Sequence, residues 1–176
     1  LTARGRVAVA ERGLDAIAVE GGVIVVGGVD GAWVVDGDRA RPLAVGGDGG
    51  VRALVGLGDG RIVAGCGDGA VRTAYVVGEA EAADRAGANA HAGAVRALAL
   101  GPLLVDGAGR ELARRLWSLG EDGALKSWPL DSNRKPRTLE LGAGPGTALA
   151  IAVGAVKGVD GSTAQVIAVT AARKLV

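Results

Sequence analysis

Val51-Arg-Ala-Leu-Val-Gly-Leu57, then Arg61-Ile-Val-Ala-Gly-Cys66, then Asp68-Gly69 and Ala70-Val-Arg-Thr73, is the stretch whose reading decides the fold. Three apolar runs of strand length are separated by a glycine-rich turn and by Asp-Gly. Asp-Gly between two such runs is a strong hairpin signal, because a type I′ turn needs positive φ at both central residues. The stretch therefore reads as strand, turn, strand, hairpin, strand.

The same order recurs on either side. Upstream stand Leu14-Asp-Ala-Ile-Ala-Val19, Val23-Ile-Val-Val-Gly-Gly28, Asp30-Gly31 and Ala32-Trp-Val-Val35. Downstream stand Val95-Arg-Ala-Leu-Ala-Leu100, Arg115-Leu-Trp-Ser-Leu119, Asp122-Gly123 and Ala124-Leu-Lys-Ser-Trp128. The Asp-Gly pairs lie 38 and then 54 residues apart, the longer gap holding an insertion over Gly101 to Arg114. Without it the period is about 40 residues, which suits a four-stranded propeller blade. A fourth unit opens at Thr147 with Ala-Leu-Ala-Ile-Ala-Val153 and resumes, after a loop over Lys157 to Thr163, as Gln165-Val-Ile-Ala-Val-Thr170. Arg6 to Ala10 reads as an outer strand. The expected fold is all-β, a partial propeller of three and a half to four blades over 14–47, 51–90, 91–141 and 147–176, with 6–10 as a spare outer strand. Two stretches sit awkwardly in this frame, since Glu79 to Ala90 and Glu111 to Arg115 look helical by propensity.

Composition agrees with many short strands. The chain has 32 glycines in 176 residues and 49% hydrophobic residues, but neither Phe nor Met. Glycine far above the usual ~7% share, without a collagen period, means disorder or a turn-rich fold. This much apolar content excludes disorder. The core must come from Val, Leu, Ile and Ala, with Trp33, Trp117, Trp128 and Tyr75 as the aromatics. A net charge of +1 gives no global attraction to nucleic acid or an anionic membrane. The longest apolar run, Ala148 to Val156, is about half the ~20 residues a membrane helix needs, and Gly154 interrupts it. With no signal-peptide pattern and a lone Cys66, the expected compartment is the cytoplasm. The Ala- and Arg-rich bias suggests a bacterial source. The first residue is Leu1, which points to a natural start upstream and a longer parent protein.

The third unit resembles a WD40 repeat. His91-Ala-Gly-Ala-Val95 is similar to the family's His placed four residues before the Val of the innermost strand. Ser118-Leu-Gly-Glu-Asp122-Gly123-Ala-Leu-Lys-Ser-Trp128 is similar to its Ser, Gly, Asp-Gly and Trp pattern. The first two units keep the Asp-Gly turn and the apolar strands, but lack His before the inner strand and lack Trp at the position of Trp128. The resemblance implies a structural hydrogen-bond chain running from Asp122 to His91, on to Ser118 and so to the Trp128 indole. Such a chain fixes loop geometry and performs no catalysis. Ser118 as a catalytic nucleophile is disfavoured, because no nucleophile elbow surrounds it.

Other constellations read as structure. One histidine and one cysteine fall short of the three or four ligands of a zinc site, and Cys66 reads as a small buried hydrophobe. Gly142-Ala-Gly144-Pro-Gly146 and Gly56-Leu-Gly58-Asp-Gly60 suggest phosphate loops, yet neither is followed by Lys-Ser or Lys-Thr. Asp36-Gly-Asp38 lacks the spacing of a calcium loop. Arg134-Lys135-Pro-Arg137 with Lys126 makes a basic patch best explained as a solvated strand edge.

These readings favour a non-enzymatic interaction scaffold with no catalytic, cofactor or metal residues. Its partner is a protein or the remainder of a parent chain, or a second copy that completes the ring, and not nucleic acid or membrane. The competing readings are a propeller enzyme domain of hydrolase or quinoprotein type, and a regulatory or sensor extension of a bacterial signalling protein.

Overall fold

The computed structural model describes residues 9, 12–45, 47–76, 90–112, 114–130, 135–141, 148–159 and 162–171. Every element in it is a β-strand, and every pairing for which a register is defined is antiparallel. The chain divides into two compact units, Leu1–Val95 and Arg96–Val176.

In the first unit, β1 (Leu14–Glu20), β2 (Val23–Gly28), β3 (Gly31–Asp36) and β4 (Arg39–Leu43) form one sheet in that order. Pro42 sits on β4, the edge strand, where its missing N–H costs the ladder nothing. A second sheet holds β5 (Val51–Gly56), β6 (Arg61–Cys66) and β7 (Val71–Tyr75). The two sheets pack face to face. Val25, Ala32, Val34 and Leu43 of the first meet Val51, Ile62, Ala64 and Ala74 of the second in one buried cluster, with Val45 and Val76 beside them. Valine, isoleucine, leucine and alanine from the two facing sheets fill this core.

The second unit holds the sheet of β8 (Val95–Leu100, whose first residue closes the first unit), β11 (Arg115–Gly120), β12 (Ala124–Pro129) and β13 (Arg137–Glu140). Between β8 and β11 the predicted insertion folds as a small hairpin, β9 (Leu104–Val105) with β10 (Glu111–Leu112). The helical turn expected over Glu111 to Arg115 is therefore wrong. Glu111 and Leu112 pair with Val105 and Leu104, and Arg115 opens β11. The Asp106 carboxylate, accepting from the Ala108 and Arg110 N–H groups, shapes a turn that imposes pairing over local propensity. A last hairpin joins β14 (Ala148–Lys157) and β15 (Thr163–Ala171). Its Ile151, Ile167 and Val169 pack on Leu119 and Leu125 of the preceding sheet.

The first sequence unit thus yields four strands in consecutive order, the third a four-stranded sheet interrupted by the inserted β9–β10 hairpin, and the second and fourth three and two strands among the described residues. The helical tendency over Glu79 to Ala90 and the outer strand over Arg6 to Ala10 fall almost wholly outside the described residues.

Candidate functional site

The Asp-Gly pairs do sit in hairpins, but not at the two central positions of a type I′ turn. The Gly69 N–H donates to Cys66 O and the Gly123 N–H to Gly120 O, so the central residues are Gly67-Asp68 and Glu121-Asp122. In the first unit Gly28 pairs with Gly31 around Val29-Asp30. The aspartate takes the last central position each time, and the glycine follows with φ of +129° at Gly31, +82° at Gly69 and +77° at Gly123. The carboxylate explains the choice of aspartate, since Asp68 accepts from the Ala70 N–H at 3.0 Å and Asp122 from the Ala124 N–H at 3.1 Å. Arg72 grips Asp68 with two nitrogens, at 3.1 and 2.7 Å. Its guanidinium holds the Asp68 carboxyl below the usual carboxylate range, against the opposing effect of burial.

Of the residues placed in the structural chain, Ser118 and Trp128 meet directly. The Trp128 indole N–H donates to the fully buried Ser118 hydroxyl at 2.8 Å. Both lie in the second unit with Asp122. His91 is buried and belongs to the first unit, where its backbone N–H donates to Gly69 O at 2.9 Å. Cys66 closes β6, fully buried. Its thiol donates to Val45 O at 3.4 Å, and burial pushes its pKa up.

The Gly56-Leu-Gly58-Asp-Gly60 loop does bind an anion, and the anion is the protein's own. The Gly58 N–H donates to Glu20 Oε2 at 2.7 Å and the Gly60 N–H to Glu20 Oε1 at 2.6 Å. Glu20 is 4% exposed at the end of β1. Positive φ at Gly58 (+86°) and Gly60 (+87°) aims both amides inward. Sequence reasoning missed Glu20. The available signal was an acid ending an apolar strand one repeat before a loop with glycine at alternate positions.

Arg137 opens edge strand β13 and, with Lys135, is exposed, as a solvated basic edge requires; Arg134 lies outside the described residues. A hollow of about 310 Å³ in the second unit is lined by Arg115, Trp117, Ser127 and Arg137 among others. The Trp117 indole N–H is buried there without an acceptor among the described residues. Among the described residues no three His, Cys, Asp or Glu side chains gather as metal ligands, and no helix is long and apolar enough to cross a membrane.

The surface with the clearest binding character is one face of the first sheet. Strand register puts Ile17 opposite Val26, Val19 opposite Ile24, and Trp33 between Val26 and Pro42, all on the face turned away from the second sheet. Ile17, Val19 and Ile24 are exposed there. Contiguous aliphatic side chains in water mark a binding surface, whereas a single exposed one needs no explanation.

No family model and no curated protein matches this sequence. Among solved structures the chain is similar to the computationally designed Ika4 protein, at 20% identity with a TM-score of 0.63, over 92% of this chain and 94% of that one. It is equally similar to the computationally designed Ika8 protein, at 20% identity and a TM-score of 0.63, over 96% of this chain and 48% of that one. The chain spans about half the length of Ika8, whose chain is about twice as long. At this identity the likeness is one of fold.

Proposed function

We propose that the chain is a WD40-like β-propeller module of three and a half to four blades that serves as a non-enzymatic scaffold for protein interaction, within a larger bacterial cytoplasmic protein. The observation that carries this reading is the uncovered aliphatic face of Ile17, Val19 and Ile24. Supporting it are the strand order within the sheets, consecutive save for the inserted β9–β10 hairpin, and the face-to-face packing of successive sheets inside each unit. The direct Ser118–Trp128 bond, one link of the chain that the WD40 resemblance implies, supports the reading. Two packed sheets ending in an aliphatic face, as in the first unit, suit the capture of another polypeptide, because binding to a preformed surface costs little ordering.

A photo-cross-linking amino acid at position 19 tests the reading in producing cells. The expected result is a covalent adduct with a polypeptide. No polypeptide adduct above the background given by the same probe at exposed Leu103 overturns it.

A further inference from the structure

We infer that the aliphatic face of the first sheet is covered by the last hairpin of a second copy of this chain, so that two copies join head to tail into a closed pair. This rests on the scaffold reading and names the partner at its surface.

The argument comes from equivalent positions. A bulge near the start of the inner strand recurs between Leu14 and Ala16, Val51 and Ala53, and Ala148 and Ala150. Aligning the strands on it makes Ile17, Leu54 and Ile151 equivalent. Their partner strands then make Ile24, Ile62 and Ile167 equivalent as well. In the second sheet Ile62 is 0% exposed, and Leu54 packs with it against the first sheet. In the last hairpin Ile151 and Ile167 pack against the third sheet. In the first sheet the same two positions are open, with Ile17 68% exposed and Ile24 43%. In the second sheet and in the last hairpin this face is thus an inter-sheet contact, and in the first sheet it is exposed.

The complementary face is present in the same chain. Ala18, Val23 and Val25 of the first sheet receive the second sheet. Register places Ala152, Ala168 and Val156 of the last hairpin on the corresponding face, where all three are exposed. A two-stranded hairpin is marginal alone, and a covering sheet would secure it. One exposed giving face and one exposed receiving face make a heterologous contact, which must close or polymerise. Closure at two copies is favoured because the same fold likeness extends over half of Ika8, a chain about twice as long.

Light scattering coupled to size exclusion tests this on the 176-residue chain. The expected mass is twice 17.3 kDa across a wide concentration range. Ile17→Glu and Ala168→Glu are each expected to give folded monomers by circular dichroism. Mixing the two restores dimer, since one intact giving face then meets one intact receiving face. Ile17→Thr serves if the glutamate variant fails to fold, with at least a tenfold weaker dimer expected. Monomer mass at every concentration overturns the inference, as does a ladder of higher masses or a dimer indifferent to these substitutions. A monomer that still gives adducts with a different protein at position 19 overturns the second copy and leaves the scaffold reading standing.

Discussion

Gly65 lies so close beneath Val95 that a Cβ on the glycine would stand 2.5 Å from Val95 Cγ1. Gly27 stands in the same relation to Val51, at 2.6 Å. Each glycine lets the first residue of the following inner strand press onto backbone, so the glycine content is partly a packing device and not only a turn device. Gly65→Ala is expected to destabilise by about 1–3 kcal/mol, the cost of forcing extra volume into a filled core. Urea unfolding measures it. Adding Val95→Ala should return part of that loss, so the double variant is more stable than the sum of the singles predicts. Strict additivity would show that the contact does not bear on stability.

How much of this was legible beforehand varies with the range of the interaction. The strands and their order followed from apolar runs and Asp-Gly spacing, because hairpin pairing is local. The turn geometry was misjudged by one residue, since the sequence shows Asp-Gly but not which pair of residues is central. Glu111 and Leu112 misled because propensity is a weak prior that a neighbouring strand overrides. The contacts of Glu20, and the exposure of Ile17 against the burial of Ile62, depend on which sheet lies beside which. Pattern within one strand does not encode that. A glycine written as Gly27 or Gly65 looks like a strand weakness until the facing valine is known.

Glu20 provides a second test. Its carboxylate ties the end of β1 to the β5–β6 turn through two backbone amides. Glu20→Ala leaves those amides without their partner and should cost about 1–3 kcal/mol. The vacated turn retains the geometry of an anion site, so formate should restore part of the lost stability in the variant and leave the native chain unchanged. A thermal melt series in formate against chloride at equal ionic strength reads this. Equal response of both proteins would dismiss the idea that the loop is built for an anion.

Asp68 carries a pH dependence whose sign is fixed by its depressed pKa, set first by the Arg72 guanidinium. A carboxyl with a folded pKa below its unfolded value of about 3.9 stabilises the fold above that value. The contribution is lost as pH falls through the folded pKa. Asp59 shifts in the same direction beside Arg61, though its side chain is more exposed and screened. Stability of the native chain should therefore fall below about pH 4, and the gap between it and Asp68→Asn should narrow over the same window. Denaturant midpoints measured across that window decide the matter. A gap that stays constant into acid would mean that the Asp68 charge contributes nothing.

The Ser118–Trp128 bond admits the sharpest test, because a second tryptophan in the same strand pair is its control. Trp128 donates to Ser118, while the Trp117 indole N–H is buried with no acceptor among the described residues. Ser118→Ala leaves the Trp128 N–H unsatisfied and should destabilise by about 1–3 kcal/mol. Trp128→Phe removes the donor together with some packing. Trp117→Phe removes comparable packing but no hydrogen bond, and should cost less than Trp128→Phe. The double variant Ser118→Ala with Trp128→Phe isolates the bond, with a coupling of about 0.5–1.5 kcal/mol expected from a neutral pair. The magnitude matters for the fold as well as the bond, since the pairing joins the two central strands of the sheet, Ser118 on β11 and Trp128 on β12. A coupling indistinguishable from zero, or an equal cost for the two tryptophans, would reduce the Ser118–Trp128 contact to simple proximity.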